Sequence, residues 1–343
     1  LKKRSVDGPA TPGEIRLDRN EQPFAPSPKV VEAIRLAADQ AHRYPASGSP
    51  ALKQRIAGYN DIHPDQVVVG NGSDENIELM ARTFLANGDE VIIPRPSFFY
   101  YATTTQAVGG VPVFVERDAG FSVNCDSIFS AVTDRTKILY LAQPNNPTGT
   151  PIPRLTLEAI LDRADFLVCV DECYYEFYGH TVLDLLPKYP HLVVMRSFSK
   201  AFGLAGVRVG YTMSSPELAD HMMRAAQSYS VNRMAQVAAL AALDDLPYAR
   251  AKIEAVRRER EFLAEQLRQR RFLVYPSETN FLLVNGRPLG RTSAEVCRKL
   301  RERKIFVADF GAYPGLDEYS FRITIGTPPE NRALLGALDA WPL

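Results

Sequence analysis

The sequence predicts an α/β protein built on a mostly parallel sheet, with a smaller α+β domain at its C-terminal end. Between residues 66 and 212, seven strand-like apolar runs alternate with mostly helical segments, the order expected when helices cover both faces of a sheet. One run, Phe166-Leu-Val-Cys-Val-Asp171, is continuously apolar up to a terminal carboxylate, as in a strand buried on both faces. Near Asp244-Asp-Leu-Pro247 the pattern changes to one long helix, with Ala249, Ile253, Val256, Leu263 and Leu267 along one face.

The elements follow in order. Residues Leu1 to Pro26 are polar and proline-rich without amphipathic pattern, which suggests an arm packing on something else, with a disordered tail over Leu1 to Gly13. Ser27-Pro28 supplies a helix cap and a first-turn proline, and Val30, Val31, Ile34, Ala37, Ala38 and Ala41 recur at helical spacing. The strand-like runs are Gln66–Val69, Glu90–Ile93, Val111–Val115, Ile138–Ala142, Phe166–Val170, Leu192–Arg196 and Val207–Thr212. After the long helix come two more strand-like runs, a helix around Ala294 to Arg301 and a strand around Phe321 to Ile325. The expected division is an arm over 1–27, a large domain over 28–245 and a small domain over 246–343. No internal repeat or low-complexity segment interrupts it.

Composition narrows the function. The chain has 343 residues, 45% of them hydrophobic, and acidic and basic residues balance at 40 each. That length allows a substantial core, and zero formal net charge without a basic block argues against nucleic acid as the main partner. No apolar run reaches the roughly 18 residues of a membrane span. Cys125, Cys169, Cys173 and Cys297 show no paired metal spacing beyond Cys169-x-x-x-Cys173, and the histidines are scattered. The cysteines therefore read as reduced thiols of a cytoplasmic protein, with no metal site. The sequence opens on leucine, and trimmed leading residues, a targeting peptide among them, are left open.

Four segments carry chemistry. Ser197-Phe-Ser199-Lys200-Ala-Phe-Gly-Leu-Ala-Gly-Val-Arg208 sets one lysine among hydroxyls with an arginine eight positions on. A lysine amine can form a Schiff base with an aldehyde cofactor such as pyridoxal 5'-phosphate, whose phosphate Ser197, Ser199 and Arg208 can help to hold. Taken alone, the segment would be a surface lysine in a Ser/Gly loop. Asp171, at a strand's C-terminal end, stands where ligands bind in open α/β sheets and can keep a pyridine nitrogen protonated; its other reading is a cap on the next turn. Gln143-Pro-Asn-Asn146-Pro-Thr-Gly149 is by itself a loop. In Gly70-Asn-Gly72-Ser73-Asp74-Glu75, a strand turns through glycines into a helix whose free amides can take a phosphate.

In order and spacing, these segments resemble the fold-type I, class I/II, aminotransferases that use pyridoxal 5'-phosphate, and most closely the histidinol-phosphate aminotransferase family. The resemblance runs nearly end to end and takes in Asn20-Glu21-Gln-Pro23, Arg43-Tyr44-Pro45 and Phe321-Arg322-Ile-Thr-Ile-Gly-Thr327. It implies that Lys200 carries the cofactor and moves a proton, that Asp171 secures the pyridinium, and that Tyr174 and Asn146 bond the ring oxygen. Tyr174 could also be a packed aromatic. Phe98 matches the aromatic that stacks on the ring, and Gly72, Ser73 and Asp74 open the phosphate-binding helix. Tyr44 matches a tyrosine that reaches the cofactor phosphate of the neighbouring subunit, so a homodimer with shared sites is implied. Arg322 resembles the arginine that pairs with a substrate carboxylate, with Asn20 and Glu21 beside the substrate.

The expected function is amino transfer between glutamate or 2-oxoglutarate and a second small molecule, foremost histidinol phosphate. Alternatives are an aromatic or specialised-metabolism aminotransferase, a phospho-amino-acid decarboxylase on the same scaffold, and a non-catalytic cofactor-binding protein. The family's further arginine aligns with Ala308, with Asp309 beside the gap, which leaves the phosphorylated substrate one positive charge short. Arg19 and Arg95 read as exposed arginines outside the pocket.

Overall fold

Two sheets organise the chain in this computed structural model, which describes residues 11–341. The segment ahead of the first helix holds a short strand, β1 (Ile15–Leu17), too brief to show a periodic pattern in sequence. Of the tail expected over Leu1 to Gly13, the first ten residues lie outside the described ones. The helix Pro28–Ala38 begins as anticipated, with the Ser27 side chain accepting from the Val30 amide.

The large sheet contains β2 (Val67–Gly70), β3 (Glu90–Arg95), β4 (Val111–Glu116), β5 (Thr136–Ala142), β6 (Leu167–Asp171), β7 (Leu192–Ser197) and β8 (Gly210–Met213). Their order across it is β2-β8-β7-β6-β5-β3-β4. The contiguous pairs from β7 through β4 are parallel, whereas β8 runs antiparallel to both its neighbours. The central strands β5, β6 and β7 are almost wholly buried, which explains why they read as unbroken apolar runs.

The last of these strands departs from expectation at its start. Val207 ends a 3-10 turn (Ala205–Val207), Arg208 takes a left-handed conformation at φ 58°, and the strand begins only at Gly210. The physical reason lies in Arg208, whose guanidinium turns toward the start of the helix Ser73–Phe84 to meet Asp74 instead of continuing a ladder.

The long helix is Leu246–Gln269. Beyond it, β9 (Leu273–Val274), β10 (Phe281–Asn285), β11 (Ile305–Asp309) and β12 (Ser320–Thr324) form the second sheet, ordered β1-β11-β12-β10-β9. The early strand β1 joins its edge parallel to β11, so the N-terminal segment is stitched to the end of the chain. In the antiparallel pair β11/β12, Ala308 lies opposite Arg322, and directly opposed residues share one face of a sheet.

Candidate active site

The C-terminal ends of β5, β6 and β7 and the loop after β3 converge on a cavity of about 430 Å³. Open α/β sheets hold ligands at this edge. The cavity takes in thirteen of the fifteen site residues expected from the sequence, all but Gly72 and Tyr44: Asn20, Glu21, Ser73, Asp74, Phe98, Asn146, Asp171, Tyr174, Ser197, Ser199, Lys200, Arg208 and Arg322. They come from segments up to 302 positions apart, Asn20 to Arg322; the fold, not the sequence, brings them together.

Lys200 follows β7, and its Nζ lies 3.4 Å from the Arg19 carbonyl oxygen. Burial, aided by the Arg322 charge, lowers the lysine to about 8. A substantial share of the side chain is therefore the neutral, nucleophilic amine at mildly alkaline pH.

Asp171 ends β6 with both carboxylate oxygens engaged. Oδ1 accepts from the Cys173 amide at 3.0 Å, and Oδ2 accepts from the Tyr101 hydroxyl at 2.5 Å. Burial raises its pKa while these hydrogen bonds act against the rise. Tyr101 was not singled out in sequence for any role. It is fully buried, and its ring lies parallel to that of Tyr140 at 4.5 Å. The signal available was its place in the same aromatic cluster as Phe98, three residues on, where the helix Tyr100–Ala107 begins. Phe98 meets Tyr101 edge to face, at 5.6 Å between centroids, so the aromatic loop serves core and cavity at once.

A polar chain closes the opposite wall. The Asn20 amide donates to the Tyr174 hydroxyl at 2.9 Å, and the Asn20 backbone N–H donates to Thr324 Oγ1. Burial pushes Tyr174 upward, with the Arg322 charge opposing it, so the phenol keeps its proton. Arg322 donates to Asn146 Oδ1 at 2.6 Å and to the Asp18 carbonyl at 2.9 Å. Burial lowers this guanidinium's affinity for its proton. Its Nε is buried without a hydrogen-bond partner among the described residues, a donor held ready for an anion.

The remaining wall is an anion cradle. Gly72, at φ 82°, precedes the helix Ser73–Phe84; a Cβ there would come within 2.5 Å of Arg208 Nη2, and one on Gly210 within 2.4 Å of the Ser73 amide. Gly72 supplies this close approach and does not itself line the cavity. Arg208 donates to Asp74 at 3.0 Å, and Ser197 Oγ accepts from the Ser199 amide at 3.1 Å. Helix amides, two serine hydroxyls and a guanidinium thus face one end of the cavity.

Four residues weighed in the sequence remain to be placed. Arg19, expected to be exposed and outside the pocket, lines it, because β1 carries the following residues across the cavity mouth. Arg95 does stay outside, paired with Glu116. Asp309, next to Ala308, turns its carboxylate to Ser293 Oγ and the Gly311 amide, from which it accepts, and closes a turn. Tyr44 is 78% exposed and stacks on Tyr229 away from its own chain's cavity. The four cysteines are free, and no group of metal-ligating side chains occurs among the described residues.

Comparison with known proteins agrees with this geometry. The family model for aminotransferase class I and II matches residues 12–338. A histidinol-phosphate aminotransferase of Methanothermobacter thermautotrophicus is 39% identical over 94% of this chain and 88% of its own length. One from Methanosphaera stadtmanae is 37% identical over 96% and 91%. A crystal structure of histidinol-phosphate aminotransferase from Sinorhizobium meliloti in complex with pyridoxal-5'-phosphate superposes with a TM-score of 0.88 at 26% identity, covering 95% of this chain and 90% of that one.

Proposed function

The chain belongs to the class I and II aminotransferases and is a pyridoxal 5'-phosphate-dependent aminotransferase, and from that premise we propose that its second substrate is histidinol phosphate, with 2-oxoglutarate as acceptor. The observation that carries the substrate is the 39% identity with a histidinol-phosphate aminotransferase over 94% of the chain.

The residues fit the cofactor. The Gly72 and Gly210 approaches leave the Ser73 amide and Arg208 guanidinium open to a phosphate, and the buried Asp171 carboxylate suits a protonated ring nitrogen. When bound, pyridoxal 5'-phosphate supplies an aldehyde that takes up the amino group and a ring that draws electrons from the substrate carbon.

The chain's own residues do the rest. Lys200 would hold the cofactor's aldehyde, and its Nζ, lowered to about 8 by burial, is the group that would move a proton during the transfer. Asp171, braced by Tyr101 and the Cys173 amide, keeps the ring nitrogen protonated. Tyr174 and Asn146 bond the ring oxygen, and each is fixed from behind, by Asn20 and Arg322 respectively. Ser73, Ser197, Ser199 and Arg208 hold the phosphate. Arg322 pairs with the substrate's anionic group, its planar fork suited to carboxylate or phosphate. Asn20 and Glu21 border the substrate side.

Two subunits complete the enzyme in this proposal. The exposed ring of Tyr44 reaches the cofactor phosphate of a second copy, giving a homodimer with shared sites, acting in the cytoplasm. An arm over 1–27, a large domain over 28–245 and a small one over 246–343 make up each subunit, with β1 of the arm joined to the small domain's sheet.

The test is a half-reaction. Enzyme loaded with cofactor is mixed anaerobically with histidinol phosphate, and separately with glutamate, tyrosine and phenylalanine, while the cofactor absorbance is followed. Conversion by histidinol phosphate at low concentration and by glutamate is expected. Conversion only by aromatic amino acids would refute the substrate assignment, and release of carbon dioxide would point to decarboxylation.

A further inference from the structure

Two aromatic residues in the cavity wall have no part in the chemistry above. Phe310 and Tyr313 both line the cavity from the loop between β11 and β12, with ring centroids 4.7 Å apart and planes tilted by 45°. The loop is anchored at both ends. The Phe310 amide donates to the Ser320 carbonyl, the Tyr313 hydroxyl donates to the Ser97 carbonyl across the cavity mouth, and Gly315, at φ 86°, packs so closely on Pro96 that a Cβ would lie 2.9 Å from its nitrogen.

With the Tyr313 hydroxyl engaged on Ser97, the cavity meets the body of that ring and not its polar end. The Arg322 guanidinium lies 5.0 Å from the Phe310 centroid, so this wall adjoins the group that receives the substrate's anion. Aromatic faces carry negative partial charge. They attract a planar ring, or an imidazolium through its cation, and offer an acidic side chain nothing.

We propose that the Phe310–Tyr313 pair is a specificity wall that takes the planar ring of the amino substrate, so that ring-bearing amines gain from it while glutamate does not. The inference rests on the substrate reading above and extends it from the anion to the ring. Phe310 and Tyr313 act as specificity-determining residues, and the proton transfers do not pass through them.

The experiment compares kcat/KM of the cofactor-loaded enzyme for histidinol phosphate, phenylalanine and glutamate in the wild type and in Phe310→Leu and Tyr313→Leu, which keep apolar bulk and remove the ring face. The ratio of ring-bearing amine to glutamate is expected to fall about ten-fold in each variant, the scale of one lost aromatic contact with the area it covers. Tyr313→Leu also releases the Ser97 contact, so Phe310→Leu is the cleaner reading and the second variant guards against a failure of the first to fold. An unchanged ratio, or an equal fall for glutamate, overturns the wall and makes the pair a support for Arg322. A wild type that converts phenylalanine but not histidinol phosphate overturns the substrate reading, and the phenylalanine ratio then decides the wall. A wild type that converts no ring-bearing amine overturns both.

Discussion

Replacing Glu176 by glutamine should stabilise the protein at neutral and alkaline pH and change it little at pH 5. Glu176 follows the cofactor-side residues Asp171 and Tyr174 but turns to the other face of the large sheet. The residue keeps some exposed surface, yet both carboxylate oxygens are sealed from solvent without a hydrogen-bond partner among the described residues, and it is the carboxylate that titrates. Burial raises it from 4.5 to about 7, against the pull of the Arg196 charge and with a push from Glu172. In the unfolded chain the carboxyl ionises through its ordinary range; in the fold it keeps its proton until about 7. Between the two values ionisation favours the unfolded chain, so stability is lost as pH rises through that window and no further above it.

At about 1.36 kcal/mol per pH unit, the window corresponds to roughly 3 kcal/mol, complete near pH 8 and under about 1 kcal/mol at pH 5. Glutamine keeps the shape and drops the ionisation. Urea denaturation of both proteins at saturating cofactor, at pH 5, 6, 7 and 8, measures the gap. A gap that opens from under about 1 kcal/mol at pH 5 to about 3 kcal/mol at pH 8 in favour of the variant is expected. A gap that stays constant across pH, or that favours the wild type at pH 8, would refute the reasoning and show that the carboxylate is ionised and paired in the fold.

Three other perturbations address the site itself. Lys200→Ala should remove the visible absorbance of lysine-linked cofactor and slow turnover by several orders of magnitude, since one amine serves both linkage and proton transfer; turnover near the wild-type rate would sink the assignment. Tyr101→Phe removes a hydrogen bond to a buried carboxylate, worth about 1.5 to 3 kcal/mol, and should weaken cofactor binding about ten-fold in a fluorescence titration while the fold persists; unchanged affinity would mean that Asp171 does not depend on this brace. Gly72→Ala forces a side chain into a positive-φ position facing Arg208, so about 1 to 3 kcal/mol of stability should be lost and the cofactor dissociation constant should rise at least ten-fold. Denaturation and equilibrium dialysis measure the two effects, and an alanine variant binding cofactor normally would show that Arg208 is not held by this approach.

What the sequence made legible was local. Lys200 among its serines, Asp171 at the end of an apolar run and the glycine turn into Ser73 each carry their signal within a dozen residues, because a strand end or a helix start is built from neighbours. The parallel core was readable for the same reason: strands buried on both faces must be apolar at every position. Tyr101 escaped because its partner lies 70 positions away and a buried tyrosine carries no mark of what its hydroxyl meets. Arg19 was misjudged because its position depends on β1, whose three residues are held by a ladder to β11 that forms only when the chain's end arrives. Phe310 and Tyr313 were invisible in a stretch with no periodicity, and the conformation of Arg208 answers to Asp74, 134 residues earlier.

The two strands that deliver the cofactor's ligands are also tied behind the site. Asp171 and Ser197 face the cavity, and the adjacent Glu172 and Arg196 turn the opposite way, as alternation along a strand requires. There Arg196 donates to Glu172 Oε2 through Nη2 at 2.8 Å and Nε at 3.0 Å, and to Asn60 at 2.8 Å. Thr181 and the Val182 amide satisfy the rest of the carboxylate. The side chains are 1% and 0% exposed, and the Tyr175 ring covers the guanidinium at 3.5 Å. A buried pair of this kind contributes little net stability against well-packed apolar residues, whereas losing one partner costs several kcal/mol. Its value here is geometric: by joining the ends of β6 and β7 it fixes the separation of Asp171 and Ser197, the residues proposed above to hold the two ends of one rigid cofactor. Glu176, beside this pair but left without a partner, is then the cost of placing a second acid against a guanidinium already fully engaged.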